Sequence, residues 1–207
     1  MRSSGSSRRG RVVVISGPDG AGKSTLADAI EARLGTSGVR RFHHRPGILP
    51  RRSGSDGPVL EPHADPPYPR PVSLAKTIYL FADFLVGWGV LIAPRRRRGA
   101  YVIMERGWWD VVVDQRRYRL DVPGWVLRGL GRLLPAPDLH VVLDAPPELI
   151  YERKRELSVE EIGRQSAAWR SLARGGRAVV LDASRPVDAL AAEVCERLRG
   201  DADAEPA

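Results

Sequence analysis

An α/β fold, with a parallel sheet covered by helices on both faces, is what this sequence predicts, and three observations predict it. Short continuous runs of aliphatic residues, Val12-Val13-Val14-Ile15 the first of them, have the composition of strands buried on both faces. Between such runs apolar residues recur at helical spacing, as Leu26, Ile30 and Leu34 do together with Ala27. The two kinds of segment alternate along 207 residues without an internal repeat. That alternation is the pattern of parallel strands joined by crossover helices.

The elements follow in order. Residues 1–10 are rich in Ser, Gly and Arg and are expected to be a disordered basic tail. One domain is expected over 11–200, with a second disordered tail over 201–207. After the first strand and helix, Val39–His44 reads as a second strand. A long loop dense in Pro, Gly, Arg and Asp then runs from Arg45 to Pro71. A long apolar helix is expected over Val72–Ala93, closed by the run Arg95–Arg98. Tyr101–Met104 is a third strand, ending in Glu105-Arg106, and a helix over Val122–Leu134 follows. Leu139–Leu143 is a fourth strand ending at Asp144, and Pro147 opens a charged helix. A further helix around Arg164–Ala173, a fifth strand over Ala178–Leu181 and a closing helix over Pro186–Leu198 complete the chain.

Composition narrows the class. A hydrophobic content of 43% suits a globular domain, and a formal net charge of +8 favours acidic partners. The single cysteine, Cys195, excludes an internal disulfide, fits a reducing cytoplasm and falls on the apolar stripe of the closing helix. The stretch Thr77–Ala93 contains Asp83 and two glycines and is shorter than the ~20 residues a membrane span needs. A helix buried in an α/β core explains it better, so no membrane partner is expected.

The chemistry is carried by Gly17–Thr25, GPDGAGKST, which fits G-x-x-x-x-G-K-[ST] and lies between a buried strand and an amphipathic helix. Glycines let backbone N–H groups wrap a polyphosphate, and the following helix N-terminus adds to that anion site. Gly17, Pro18, Gly20, Ala21, Gly22, Lys23, Ser24 and Thr25 are therefore the candidate ATP-binding residues. Lys23 supplies a point charge for the β- and γ-phosphates, and the Ser24 hydroxyl is placed for Mg²⁺. Glu105-Arg106, at the carboxyl end of a parallel strand, points into the crevice where open α/β sheets bind ligands.

These residues resemble the thymidylate kinases, within the P-loop nucleoside-monophosphate kinase group, over about Arg11–Leu198. The resemblance implies a three-layer P-loop kinase fold, a five-stranded parallel sheet of order 2-3-1-4-5 and a short lid at about 151–165. It implies transfer of the γ-phosphoryl group of ATP, with Mg²⁺, to a nucleoside 5′-monophosphate such as dTMP, and homodimers. By the same resemblance Asp19 matches the phosphate-loop aspartate that meets the acceptor sugar, and Arg106 the arginine that grips the acceptor phosphate. Glu105 stands where the family has Asp, as a carboxylate near the metal or the attacking oxygen; a structural ion pair is the other reading of the pair.

His44-Arg45-Pro46-Gly47 resembles a shortened form of the family's acceptor loop and makes Arg45 a second phosphate ligand. Phe81 aligns with the aromatic that stacks on thymine, or is simple helix core. The arginine that should follow it is replaced by Phe84 and Leu85. The family's Tyr-Gln segment is replaced by WWDVVVDQRRYR. With Gly20-Ala21 in the phosphate loop, the resemblance moves the catalytic arginine into the lid, to Arg153 or, in reserve, Arg164. A nucleoside or other metabolite kinase is an alternative within the same chemistry. So is a P-loop ATP-binding module or polynucleotide kinase, whose basic runs Arg51-Arg52, Arg95–Arg98 and Arg116–Arg119 would engage nucleic acid.

Overall fold

Residues 10–35, 38–43, 45–49 and 65–203 are described by a computed structural model. Most of the expected N-terminal tail, His44, the pair Arg51-Arg52 and residues 204–207 lie outside the described residues. Five strands form one parallel sheet: β1 (Val12–Ser16), β2 (Val39–Phe42), β3 (Tyr101–Glu105), β4 (Leu139–Asp144) and β5 (Val179–Asp182). Their order, β2-β3-β1-β4-β5, is the one expected. Ile15 pairs with Glu105 and Ser16 with Val142, so β1, β3 and β4 end together and the loops after them converge.

Alternation along β1 shows why both faces need cover. Val13 and Ile15 pack with α1 (Lys23–Leu34) and α8 (Val187–Asp203) through Leu26, Ile30, Ala191 and Val194. Val12 and Val14 turn to the other face, against α2 (Arg70–Gly87), α4 (Trp108–Val113) and α5 (Gly124–Leu133) through Leu80, Phe84, Trp108 and Leu127. Apolar residues on both sides of one strand are what a two-faced core requires. Cys195 is buried in the first of these clusters, as its place on the helical stripe implies.

Three boundaries differ most from the sequence reading, beside shifts of one or two residues such as the end of β2 at Phe42. The helix expected from Arg164 is α7 (Val159–Arg174), starting a turn and a half earlier, because Ser158 caps it by accepting from the Glu161 N–H. The closing helix continues past Leu198 to Asp203, so part of the segment expected as a tail is helical. The long apolar helix starts at Arg70, passes through a π-helical turn at Trp88–Ile92 and continues as α3 (Ala93–Arg97).

That helix, Arg70–Arg97, is long and apolar enough to cross a membrane by length and composition, yet it packs as a layer of the domain. Its burial is one-sided. Leu80, Phe84 and Ile92 face the sheet, whereas Leu74, Ile78, Leu85, Val86 and Val90 are exposed. Asp83 is fully buried and accepts N–H bonds from Gly47 (3.2 Å) and Leu49 (2.8 Å), which pins segment 45–49 to α2.

Candidate active site

The loop between β1 and α1 adopts the geometry its glycines allow. Gly17 has φ 140°, and a Cβ there would run into the Leu143 carbonyl of β4. Gly22 occupies the N-cap of α1 and offers no side chain to the first-turn N–H groups, which leaves them for an anion. Lys23 is buried and folds back over the loop. Its ammonium donates to the Gly17 and Pro18 carbonyls, at 2.8 and 2.7 Å, and to Asp19 at 3.4 Å. Burial and the neighbouring Arg106 push the lysine down to about 8, with Asp19 and Asp110 pulling the other way.

Asp19 is the focus of the positive charge. Arg106 donates to one of its carboxylate oxygens and Arg117 to the other. Burial pushes the Asp19 carboxyl up, but Lys23, Arg106 and Arg117 together outweigh it and hold the group well below the usual carboxylate range. Arg106 reaches this position through a left-handed backbone, φ 78°, fixed by its N–H bond to the Ile15 carbonyl at 2.9 Å. A non-glycine residue in that region carries strain of the order of 1 kcal/mol, the kind found where a side chain must be aimed.

Beneath the loop lies a buried polar chain. Ser16 donates to Asp110 at 2.7 Å, Gly107 N–H donates to the same oxygen at 2.7 Å, and His140 Nε2 lies 3.0 Å from Ser16 Oγ. Burial pushes the Asp110 carboxyl up and the His140 imidazole down to about 4, against the pull of a hydrogen bond to the Arg177 backbone, so His140 is neutral beside Ser16.

Glu105 is buried, with both oxygens occupied. Ser24 donates to Oε2, while Arg41 Nε (2.5 Å) and His43 Nδ1 (3.2 Å) approach Oε1. A hydroxyl and a carboxylate side by side, next to a phosphate-binding loop, form the donor set that Mg²⁺ uses when substrate phosphate and water complete its shell. The residues present fit that ion. No cluster of three or more acidic, His or Cys side chains that could hold a metal by itself occurs among the described residues.

No family model matches the chain. A thymidylate kinase of Methylococcus capsulatus (strain ATCC 33009 / NCIMB 11132 / Bath) is 29% identical over 213 residues, covering 92% of this chain and 98% of the relative. The crystal structure of a thymidylate kinase from Ehrlichia chaffeensis superposes with a TM-score of 0.57 at 17% identity, over 92% of this chain and 98% of that one. The chain is thymidylate kinase-like. The likeness extends along nearly its whole length and includes the strand order.

The remaining candidate residues of this thymidylate kinase-like chain are distributed less simply. Arg45 donates to Asp83 at 3.2 Å and lies over the Tyr79 ring, so its partners are on α2 and not at Asp19. Phe81 packs edge-on against Trp108, with ring centroids 5.8 Å apart, at the border of the core. On the lid side, Gly20 (φ 92°) lies under the C-terminal end of α6 (Pro147–Arg153), beside the Ile150 carbonyl and Lys154. Arg153 donates to the Ala183 carbonyl after β5 at 3.0 Å. Arg164 pairs with Glu161 and donates to Val113 O at 3.2 Å, which ties α7 to α4. Neither Arg153 nor Arg164 is among the cations bonded to Asp19.

Sequence reasoning missed Arg117, Arg41 and Asp110 as members of the site. Arg117 stood in a run of arginines that read as a basic surface, and nothing local marked it out. Arg41 lies on β2, where alternation gives only its face of the sheet; its contact with Glu105 depends on the pairing of β2 with β3. Asp110, four residues after Arg106, sat at helical spacing on the turn after the crevice and was the most accessible signal.

Proposed function

We propose that this chain catalyses Mg-ATP-dependent transfer of the γ-phosphoryl group to a nucleoside monophosphate, with dTMP the first acceptor to test. The observation that carries the reading is the convergence at Asp19. There the lysine of the phosphate loop and the arginine that follows β3 meet on one carboxylate, so donor-side and acceptor-side cations share one crevice.

In this reading the first-turn N–H groups of α1 and Lys23 hold the ATP phosphates. Ser24 and Glu105 would hold Mg²⁺, which would supply neutralisation of charge on the transferring phosphoryl group. Arg106 binds the acceptor phosphate and Asp19 orients the acceptor sugar. Phe81 and Arg45 border the acceptor side, and the lid cation is Arg153 or Arg164. No strong general base is required, since phosphoryl transfer depends chiefly on positioning and charge stabilisation. The working location is the cytoplasm, and the working form is a homodimer joined through the exposed apolar side of α2.

The test is ADP release from Mg-ATP with a panel of nucleoside monophosphates, nucleosides and sugar phosphates. Stimulation by a monophosphate, dTMP foremost, is the expected result. ATP binding without stimulation by any acceptor would sink the kinase reading and favour a regulatory module.

A further inference from the structure

The cluster at Asp19 contains more positive charge than a carboxylate calls for. Three cations surround it, Lys23, Arg106 and Arg117, and the side chains of all four residues are largely buried. Lys23 is committed to the loop carbonyls and, in the reading above, to the donor phosphates. That leaves two guanidiniums on one carboxylate, each on its own oxygen. Asp110, the other acid felt by Arg106, is engaged by Ser16 and Gly107.

Arg117 is also held for the task from its own side. It lies in a 3-10 turn, Arg116–Tyr118, closed by the Leu120 N–H on the Gln115 carbonyl at 3.0 Å. Its N–H donates to Asp114 at 3.2 Å, and Lys76 secures the Tyr118 carbonyl at 2.8 Å. A guanidinium on so short and well-tied a turn loses little freedom on binding, and its fork fits the oxygens of a phosphate as well as those of a carboxylate.

We propose that Arg117 is a specificity-determining residue of the acceptor site. Together with Arg106 it forms a two-guanidinium seat for the acceptor's phosphate, and Asp19 fills that seat until the acceptor arrives. The proposal rests on the kinase reading and goes beyond it: the seat selects phosphate-bearing acceptors over unphosphorylated nucleosides. A neutral acceptor displacing Asp19 would leave two guanidiniums unpaired in a largely buried site, which is costly. An incoming phosphate takes both over and frees Asp19 to turn to the sugar.

The experiment is calorimetric binding of dTMP and of thymidine to the wild type, Arg117→Ala, Arg117→Lys and Arg106→Ala, with KM and kcat measured alongside. Loss of one charge-assisted contact should weaken dTMP about tenfold or more in Arg117→Ala. Thymidine binding and the KM for ATP should change less than about twofold, and Arg117→Lys should recover part of the dTMP affinity because it restores the charge without the fork. A role confined to bracing Asp19 would weaken dTMP and thymidine equally, and that result overturns the proposal. So does an unchanged dTMP affinity in Arg117→Ala while Arg106→Ala loses it; the seat would then be wrong and the kinase reading intact. A wild type that binds no nucleoside monophosphate of the wider panel would refute both.

Discussion

The ammonium of Lys23 lies 3.4 Å from the carboxylate of Asp19, four residues earlier in the chain. Burial and the nearby Arg106 place the titration of Lys23 near 8. Its folded value lies below the ordinary 10.5, so the unfolded chain binds more protons between about pH 8 and 10.5, and this group makes stability rise with pH across that window. ATP affinity should move the opposite way, falling as pH rises through about 8. Lys23→Ala should remove both trends and lower turnover by roughly 100-fold or more while the circular dichroism of the fold is kept. Turnover near the wild-type level would take the phosphate loop out of the mechanism.

His140 sets a prediction at acid pH. Its folded value, about 4, lies below the ordinary 6.5, so its neutral form contributes stability that is present above pH 6.5 and lost as pH falls toward 4. The contribution lost is of the order of 3 kcal/mol. Urea unfolding of His140→Gln should show a variant less stable than wild type at pH 7, with the gap shrinking steadily toward pH 4. A constant gap would mean that His140 does not titrate in this range.

Gly20 carries φ 92°, and a Cβ there would lie 2.9 Å from the Ile150 carbonyl of α6. Gly20→Ala should destabilise the fold by about 1–2 kcal/mol through backbone strain and push α6 off the phosphate loop. Because α6 leads into the proposed lid segment, kcat should fall more than ATP affinity does. Thermal melts and steady-state kinetics on the same preparation separate the two effects.

The exposed apolar side of α2 gives a prediction about assembly. Ile78 and Val90 are each 58% exposed, with Leu74 and Leu85 on the same side. Ile78→Asp should convert the proposed dimer into monomers in sedimentation velocity and leave the melting temperature of dilute protein nearly unchanged. A monomeric wild type at micromolar concentration would refute the dimer.

Much of the fold was legible because its signals are local. A β-branched run, a glycine-rich turn and a helical stripe occupy consecutive residues from Val12 to Leu34, so β1, the phosphate loop and α1 needed no tertiary information. The start of α7 is also written locally, as Ser158 followed by Glu161, but it lies within a densely charged stretch that has no apolar stripe to mark a helix start. The α2 helix shows the opposite limit. It is apolar almost all round, and periodicity cannot say which side of such a helix meets the sheet; Leu80, Phe84 and Ile92 were chosen by packing.

The sequence by itself marked the candidate donor half: the glycine-rich loop proposed to wrap phosphate, the lysine proposed to supply the charge and the Ser24 hydroxyl proposed for Mg²⁺. The tertiary structure alone decided the company those groups keep. Arg117 is 98 residues from Asp19, and Glu105 is 81 from Ser24, yet each pair is in direct contact. Those contacts exist because parallel pairing aligns the carboxyl ends of β1, β3 and β4, which brings the loops after them to one edge of the sheet. Chain spacing carries no record of that register, so the cation seat around Asp19 became visible only once the strands were paired.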